Sequence, residues 1–267
     1  PIPILTLPTV SAKIKKAMPQ LVLALSLSGI DQAKKAILTT DTFTKEITAE
    51  VMIGNQRVLI SGIAKGAGMI APNMATMLCF IFRDAVIAQG AFSKALSEAV
   101  KNSFNCITVD GCMSTNDSVI ALANAASKCP EVKGGKNFAI FSKALSAVCL
   151  KLAKLIVRDA EGATKFITIK VDEAKSFNEA RIVALTIANS ALFKAAMYGR
   201  NPNFGRVAQA VGASGVKVNE KAIKIKLSSL EKREIYVNVS LGKGKKQATV
   251  YTSDLTPQYI KINAEYN

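Results

Sequence analysis

Lys65-Gly66-Ala67-Gly68-Met69-Ile70-Ala71-Pro72-Asn73-Met74-Ala75-Thr76-Met77-Leu78 is the stretch on which the reading of this 267-residue chain turns. Glycines beside a lysine bring a phosphate loop to mind. That motif, however, needs its lysine after the glycines, followed by Ser or Thr at the start of a helix. Here Lys65 comes first, and residues 77–82 read as a short buried strand. The glycines fit a tight loop between two strands, where positive φ is open to them without steric cost.

The end of the stretch is more informative. Pro72 stiffens the approach, and the small Ala75 leaves the carbonyl before Thr76 open to attack. A threonine there can add its hydroxyl to that carbonyl, provided the backbone is held and the oxyanion is stabilised. Hydrolysis of the resulting ester leaves Thr76 as a new N-terminus, and the freed α-amine (reference pKa of about 8) can serve its own Oγ as base. The alternative is a strand threonine facing the core.

Working outward, residues 46–53 and 57–63 read as a hairpin about Gly54-Asn55. Residues 11–18 and 20–38 look helical, with Pro19 punctuating the join and Gly29 as a break. Helical spacing is read over 92–104, 118–127, 138–157 and 177–196, with a shorter helix over 207–211. Residues 165–171 read as a strand. Residues 222–227, 234–239 and 247–251 alternate like antiparallel strands, with the last turn at Gly242-Lys243-Gly244. The fold class expected is an α/β (α+β) sandwich, read as one continuous unit without repeats or linkers.

Composition narrows the chemistry. With 49% apolar and 20% charged residues the chain reads as globular. No run approaches the ~18 uninterrupted apolar residues of a membrane span, and the internal run at 21–27 does not read as a signal peptide. The balance of 35 Lys+Arg against 19 Asp+Glu suits an anionic partner. Yet the lysines are scattered, aromatics are only 6% and Trp is absent, so nucleic-acid binding is disfavoured and no membrane partner is expected. Five cysteines without CxxC spacing and no histidine argue against a metal site, and fit a reducing, cytoplasmic setting. The missing histidine also eliminates Ser-His-Asp and Cys-His catalysis, and the Thr76 arrangement needs none.

The residues also carry a resemblance. The 65–78 stretch is followed by Ser103-Phe104-Asn105, Ile107-Thr108-Val109-Asp110-Gly111 and Ser114-Thr115-Asn116-Asp117. Then come Arg158-Asp159-Ala160-Glu161-Gly162-Ala163-Thr164-Lys165-Phe166 and Tyr198-Gly199-Arg200-Asn201-Pro202-Asn203-Phe204-Gly205-Arg206. The series ends with Tyr251-Thr252-Ser253-Asp254-Leu255-Thr256 and Ile262-Asn263-Ala264-Glu265-Tyr266. In this order they resemble the ornithine acetyltransferase family of arginine biosynthesis, over nearly the whole chain.

The resemblance implies an N-terminal-nucleophile fold that cuts itself at Ala75–Thr76, so that 1–75 belongs to an α-like chain and 76–267 forms a β-like chain. It implies acetyl transfer from N-acetylornithine to glutamate through acetyl-Thr76, with no cofactor and with acetyl-CoA as an additional donor in bifunctional members. By position it implies substrate contacts at Thr39, Lys65, Thr76, Glu161 and Asn263. Lys65 would meet the α-carboxylate and Glu161 the amine end, a pairing that suits a zwitterionic amino acid. It implies a heterotetramer of two α and two β chains, and an N-terminal segment preceding Pro1 that carries the oxyanion donors. The chain departs from the family pattern at Cys112-Met113, Asn201 and Phe204. Two alternatives stand: a truncated, catalytically impaired remnant, and a related self-cleaving aminopeptidase, disfavoured because that group uses serine.

Overall fold

The structure is a computed structural model and describes residues 8–26, 28–71, 77–114 and 116–265. Its first half runs α1 (Pro8–Leu23), α2 (Gly29–Ala36), β1 (Lys45–Ile53), β2 (Gln56–Lys65), β3 (Leu78–Arg83), α3 (Gln89–Lys101), β4 (Ser118–Ala123) and α4 (Gly135–Arg158). The second half runs β5 (Phe166–Ala174), α5 (Phe177–Asn189), α6 (Ala191–Tyr198), α7 (Phe204–Ala213), β6 (Lys224–Leu227), β7 (Glu234–Ser240), β8 (Lys246–Ser253) and α8 (Pro257–Ala264). The architecture is mixed α/β, as the sequence predicts, with two four-stranded sheets among helices.

The first sheet has order β1-β2-β3-β4, with β1, β2 and β3 antiparallel in turn and β4 parallel to β3. The expected hairpin is present: Ile53 pairs with Gln56 across Gly54-Asn55, and Gly54 takes the left-handed φ of 60° that the turn requires. One face of this sheet is buried by α4, whose Phe141, Leu145, Val148, Leu152 and Ile156 recur at helical spacing. They share a core with Val58 and Ile60 of β2 and Cys79 and Ile81 of β3. Alternation along β3 follows from this: Cys79, Ile81 and Arg83 are buried while Leu78, Phe80 and Phe82 are half-buried. Helix α3 packs on α4, with Phe92 edge-on to Phe141 at 6.3 Å.

The second sheet has order β6-β7-β5-β8, with β5 and β7 parallel and its other pairs antiparallel. Helix α5 lies over β5 and β8, and α7 packs on α5. The two halves meet at Tyr251 of β8, whose carbonyl accepts the Thr108 N–H at 3.0 Å and whose ring stacks on that of Phe166 of β5 at 5.8 Å within the second half.

Three expectations are corrected and one helix is added. Residues 118–127, read as helical, contain strand β4: the run Val119-Ile120-Ala121-Leu122 fits either period, and parallel pairing with β3 decides for the strand. Pro19 does not divide two helices, because α1 runs through it and forfeits one ladder hydrogen bond. The single helix over 177–196 is broken at Ser190, which ends α5 and caps α6 by accepting the Phe193 N–H, with a 61° bend. Helix α8 was missing from the sequence reading, although Thr256-Pro257 is a start signal; the Thr256 hydroxyl oxygen accepts the Tyr259 N–H at 3.1 Å. No single described helix is long and apolar enough to cross a membrane. All five cysteines are free.

Candidate active site

The register of the first sheet assembles the site. Lys65, the last residue of β2, pairs with Leu78 of β3, and Leu78 pairs with Ser118 of β4. Lys65 and Asp117 therefore flank the chain at the point where it enters β3, two residues after Thr76. Thr76 itself lies outside the described residues. Lys65 is buried (7% exposed) and, among the described residues, has no ion-pair partner. A cation so placed is free to meet an anionic group.

The loop from Gly66 to Ala71 is held at several backbone groups. Asp41 Oδ1 accepts the Gly66 N–H at 2.7 Å. Asp110 accepts the Met69 N–H (2.7 Å) on one oxygen and the Ile70 N–H (3.0 Å) on the other. The Ile70 carbonyl accepts from the Val109 N–H (2.9 Å) and the Thr108 hydroxyl (3.1 Å). Met69 sits at φ 54°, a left-handed conformation rare for a side chain of its size, which this set of contacts enforces. Tyr259 of α8 donates its hydroxyl to Asp110 at 3.2 Å, and burial together with that negative charge pushes its phenol well above the usual value.

Glu161 is brought over the same loop. Its N–H donates to the Ala67 carbonyl at 3.0 Å, and its carboxylate lies so close to Gly68 that a Cβ there would come within 2.4 Å. Gly68 is thus required for close approach, not for a turn. The Glu161 carboxylate accepts the Thr40 hydroxyl at 2.7 Å and the Asn263 side-chain amide at 2.8 Å. The 158–165 segment is itself anchored by the C-terminal motif. Asp254 accepts the N–H groups of Thr164 and Lys165, each at 2.9 Å, and the Thr256 hydroxyl donates to the Gly162 carbonyl at 2.8 Å.

Beneath the loop lies a buried charge network. Lys45, fully buried, places Nζ 2.5 Å from Asp41 and 2.5 Å from Asp159, and Asp159 also accepts the Thr42 N–H at 3.0 Å. Burial pushes the Asp41 carboxyl up, but the Gly66 N–H and Lys45 together outweigh it and hold it below the usual carboxylate range. This network ties the 39–42 segment to the loop on one side and to the Glu161 segment on the other.

Lys65, Glu161 and Asn263 thus converge on one loop. Thr39 is exposed and donates its N–H to Asp41 Oδ2 at 3.2 Å; it is the next residue, Thr40, whose hydroxyl reaches Glu161. The sequence reading missed the acidic clamps Asp41, Asp110, Asp117 and Asp159. All four lie in or beside stretches singled out for other reasons, and an aspartate next to a turn was the available signal.

With this geometry in view, comparison with known proteins is informative. The ArgJ family model matches residues 5–267. The chain belongs to the ArgJ family. Among its relatives, "Arginine biosynthesis bifunctional protein ArgJ" of Methylococcus capsulatus is 44% identical over 277 aligned positions, covering 95% of this chain and 68% of that protein. The protein of the same name from Geobacter sulfurreducens is 41% identical, covering 98% and 72%. A crystal structure of Arginine biosynthesis bifunctional protein argJ from Bacillus halodurans superposes with a TM-score of 0.67 at 36% identity, covering 70% of this chain and 98% of that one. This is the family whose motifs the sequence carries, and its mixed α/β fold is the one observed.

Proposed function

We propose that this ArgJ-family chain is an acetyltransferase that moves an acetyl group from N-acetylornithine to glutamate through an acetyl-Thr76 intermediate, after cutting itself at Ala75–Thr76. The observation that carries the reading is that Lys65 opens the loop over whose Gly68 the Glu161 carboxylate lies, beside the strand that follows Thr76. Lys65 is a buried cation without an ion-pair partner among the described residues, suited to an α-carboxylate. Glu161, held by Thr40 and Asn263, is an anion suited to the amine end. Thr39, exposed beside Thr40, contacts the substrate from the same side.

In processing, Thr76 Oγ bonds to the Ala75 carbonyl carbon, the Ala75–Thr76 C–N bond breaks and the hydroxyl proton passes to the leaving nitrogen. Water then splits the ester. In turnover, the freed amine takes the Oγ proton as Oγ attacks the acetyl carbonyl. Ornithine leaves carrying that proton; the glutamate amine then attacks the acetyl carbonyl, the Thr76 Oγ–acetyl bond breaks, and the proton lost by the glutamate amine passes by way of the Thr76 amine to Oγ. Dividing the exchange into two half-reactions lets one pocket serve both amino acids. Acetyl-CoA would enter as an alternative donor at the first step.

Residues 1–75 and 76–267 would remain associated after cleavage. Strands β2 and β3 lie on opposite sides of the cut yet pair from Ile60–Arg83 to Lys65–Leu78, and α4 packs on β1 and β2. Coverage of the solved relative also supports the reading. That chain is matched almost in full by 70% of this one, about the share that 76–267 makes up. The family resemblance adds to the proposal an assembly of two α-like and two β-like chains.

Intact mass and N-terminal sequencing of the purified protein test the proposal. Two fragments meeting at Ala75–Thr76 are expected, and Thr76→Ala should give one uncut chain without transfer activity. Acetyl transfer by Thr76→Ala, or by an uncut wild-type chain, would overturn it; an uncut, inactive wild type would identify an impaired remnant.

A further inference from the structure

Three cavities run together along one side of the 158–165 segment, and Arg233 borders all of them. The first, of about 450 Å³, opens from Glu161 and Thr40 past Arg158 and Arg233. The second, of about 230 Å³, shares Arg158, Ala163 and Arg233 with the first and continues over Phe166. The third, of about 550 Å³, shares Thr164, Lys165 and Arg233 with the second and ends at Tyr198, Gly199 and Arg200. The groove so formed leads from the Glu161 carboxylate to the Tyr198-Gly199-Arg200 stretch, for which the transfer chemistry has no use.

The charges along it are answered unequally. Arg158 holds Glu234 at 2.7 Å and Arg200 holds Glu231 at 2.8 Å, with all four side chains at least 43% exposed. Ion pairs so wetted are weak, and their guanidiniums are open to an incoming anion. Asp159 is neutralised from beneath by Lys45. The Lys165 ammonium donates to the carbonyls of Leu230 (2.7 Å), Glu231 (3.3 Å) and Lys232 (2.9 Å), and among the described residues no carboxylate cancels its charge. The Arg233 side chain has neither an ion-pair nor a hydrogen-bond partner among the described residues. Its backbone is nevertheless fixed, since its carbonyl accepts the Phe166 N–H at 2.9 Å where β5 and β7 begin side by side.

With the two surface pairs counted as neutral, Arg233 and Lys165 leave the stretch from Arg158 to Arg200 cationic. The excess of 35 Lys+Arg over 19 Asp+Glu points the same way. A guanidinium fork meets phosphate with two parallel N–H···O bonds, a geometry that a lone ammonium lacks. At the far end Tyr198 is 42% exposed, a ring face on which a planar group can stack.

We propose that this groove is a diphosphate-binding site, with Arg233 as its principal ligand and Arg158 and Arg200 turning from their glutamates to flank it. The diphosphate enters free or within an ester whose planar ring lies on Tyr198. No bond is made or broken there, and the site is independent of the Thr76 chemistry.

Isothermal titration calorimetry of the purified chain at pH 7.5 and about 0.15 M ionic strength tests it, with pyrophosphate and ADP as probes. One pyrophosphate per chain is expected, bound at least tenfold more weakly by Arg233→Gln. Arg57→Gln is the control, because Arg57 is an exposed arginine paired with Glu50 in the first sheet; it should change the affinity less than twofold. Equal weakening by both variants would show general charge attraction and overturn the site, as would a wild type that takes up no pyrophosphate at about 5 mM. Should Arg233→Gln fail to fold, Arg233→Lys decides, since it keeps the charge and loses the fork. A threefold loss or more supports the site, and an unchanged affinity overturns it. ADP bound at least tenfold more tightly than pyrophosphate, with the gain lost in Tyr198→Ala, identifies a nucleotide-like ester as the source. Equal affinity for the two probes identifies free diphosphate. Failure to cleave or to transfer acetyl groups bears on the Thr76 reading alone.

Discussion

Replacing Lys45 with methionine removes the cation that two buried carboxylates share. Asp41 and Asp159 both lie 2.5 Å from its Nζ, with side chains 0% and 2% exposed. Methionine fills the volume but leaves two anions facing each other out of water. Breaking a buried pair by removing one partner costs about 3–5 kcal/mol. For a chain of this size each kcal/mol shifts Tm by about 2–4 °C, so a fall on the order of 10 °C is expected. The measurement is urea unfolding and thermal melting, made on the Thr76→Ala background so that one covalent chain is followed.

The pH dependence sharpens this test. In the parent the Asp41 carboxyl is held below its usual range, so its contribution is complete above the unfolded value of about 3.8 and is lost as pH falls through the lower folded value. Without Lys45, only the Gly66 and Thr39 N–H groups oppose burial, and the folded value rises from that of the parent. The penalty of Lys45→Met should therefore be largest at pH 7 and shrink on acidification, as the carboxylates left without their cation take up protons. A loss under 1 kcal/mol at pH 7, or a penalty that grows as pH falls, would refute the network as described.

Other outcomes are open to direct measurement. Gly68→Ala should destabilise the fold by less than about 2 kcal/mol, because the Glu161 tip that a Cβ would strike can swing aside. Swinging breaks its bonds to Thr40 and Asn263, so KM should rise at least tenfold in a transfer assay; an unchanged KM would place Glu161 outside the substrate pocket. Lys194, buried with its ammonium against the Val109 carbonyl, is lowered to about 8 by desolvation. The unfolded chain therefore binds more protons between pH 8 and 10.5, and stability should rise with pH across that window by roughly 3 kcal/mol, read by urea melts of wild type against Lys194→Met.

Much of the architecture is written locally. Gly54-Asn55 between two stretches of strand-like pattern fixes the first hairpin, because a turn with positive φ joins strands so closely. The apolar spacing through α4 fixes a helix and the face it buries. The absence of histidine excludes Ser-His-Asp and Cys-His chemistry, and Ala75-Thr76 before a buried strand marks a candidate threonine that could act without it. Other elements could not be read this way. Residues 118–123 satisfy helix and strand periods alike until β3 offers an edge to pair with.

The site depends on the tertiary structure for the same reason. The sequence marked Lys65, Glu161 and Asn263 separately, yet nothing local says that Gly68 must lack a Cβ because Glu161 rests there, or that Thr40 rather than Thr39 turns its hydroxyl to that carboxylate. Asp110 and Asp117 read as turn residues until the register sets each against a backbone N–H some forty residues away. Dihedral preference and burial period act between near neighbours, so residue order alone determined the elements and the candidate nucleophile. Which charge meets which donor is decided by contacts between segments as much as 149 residues apart, and those exist only once both cores have closed.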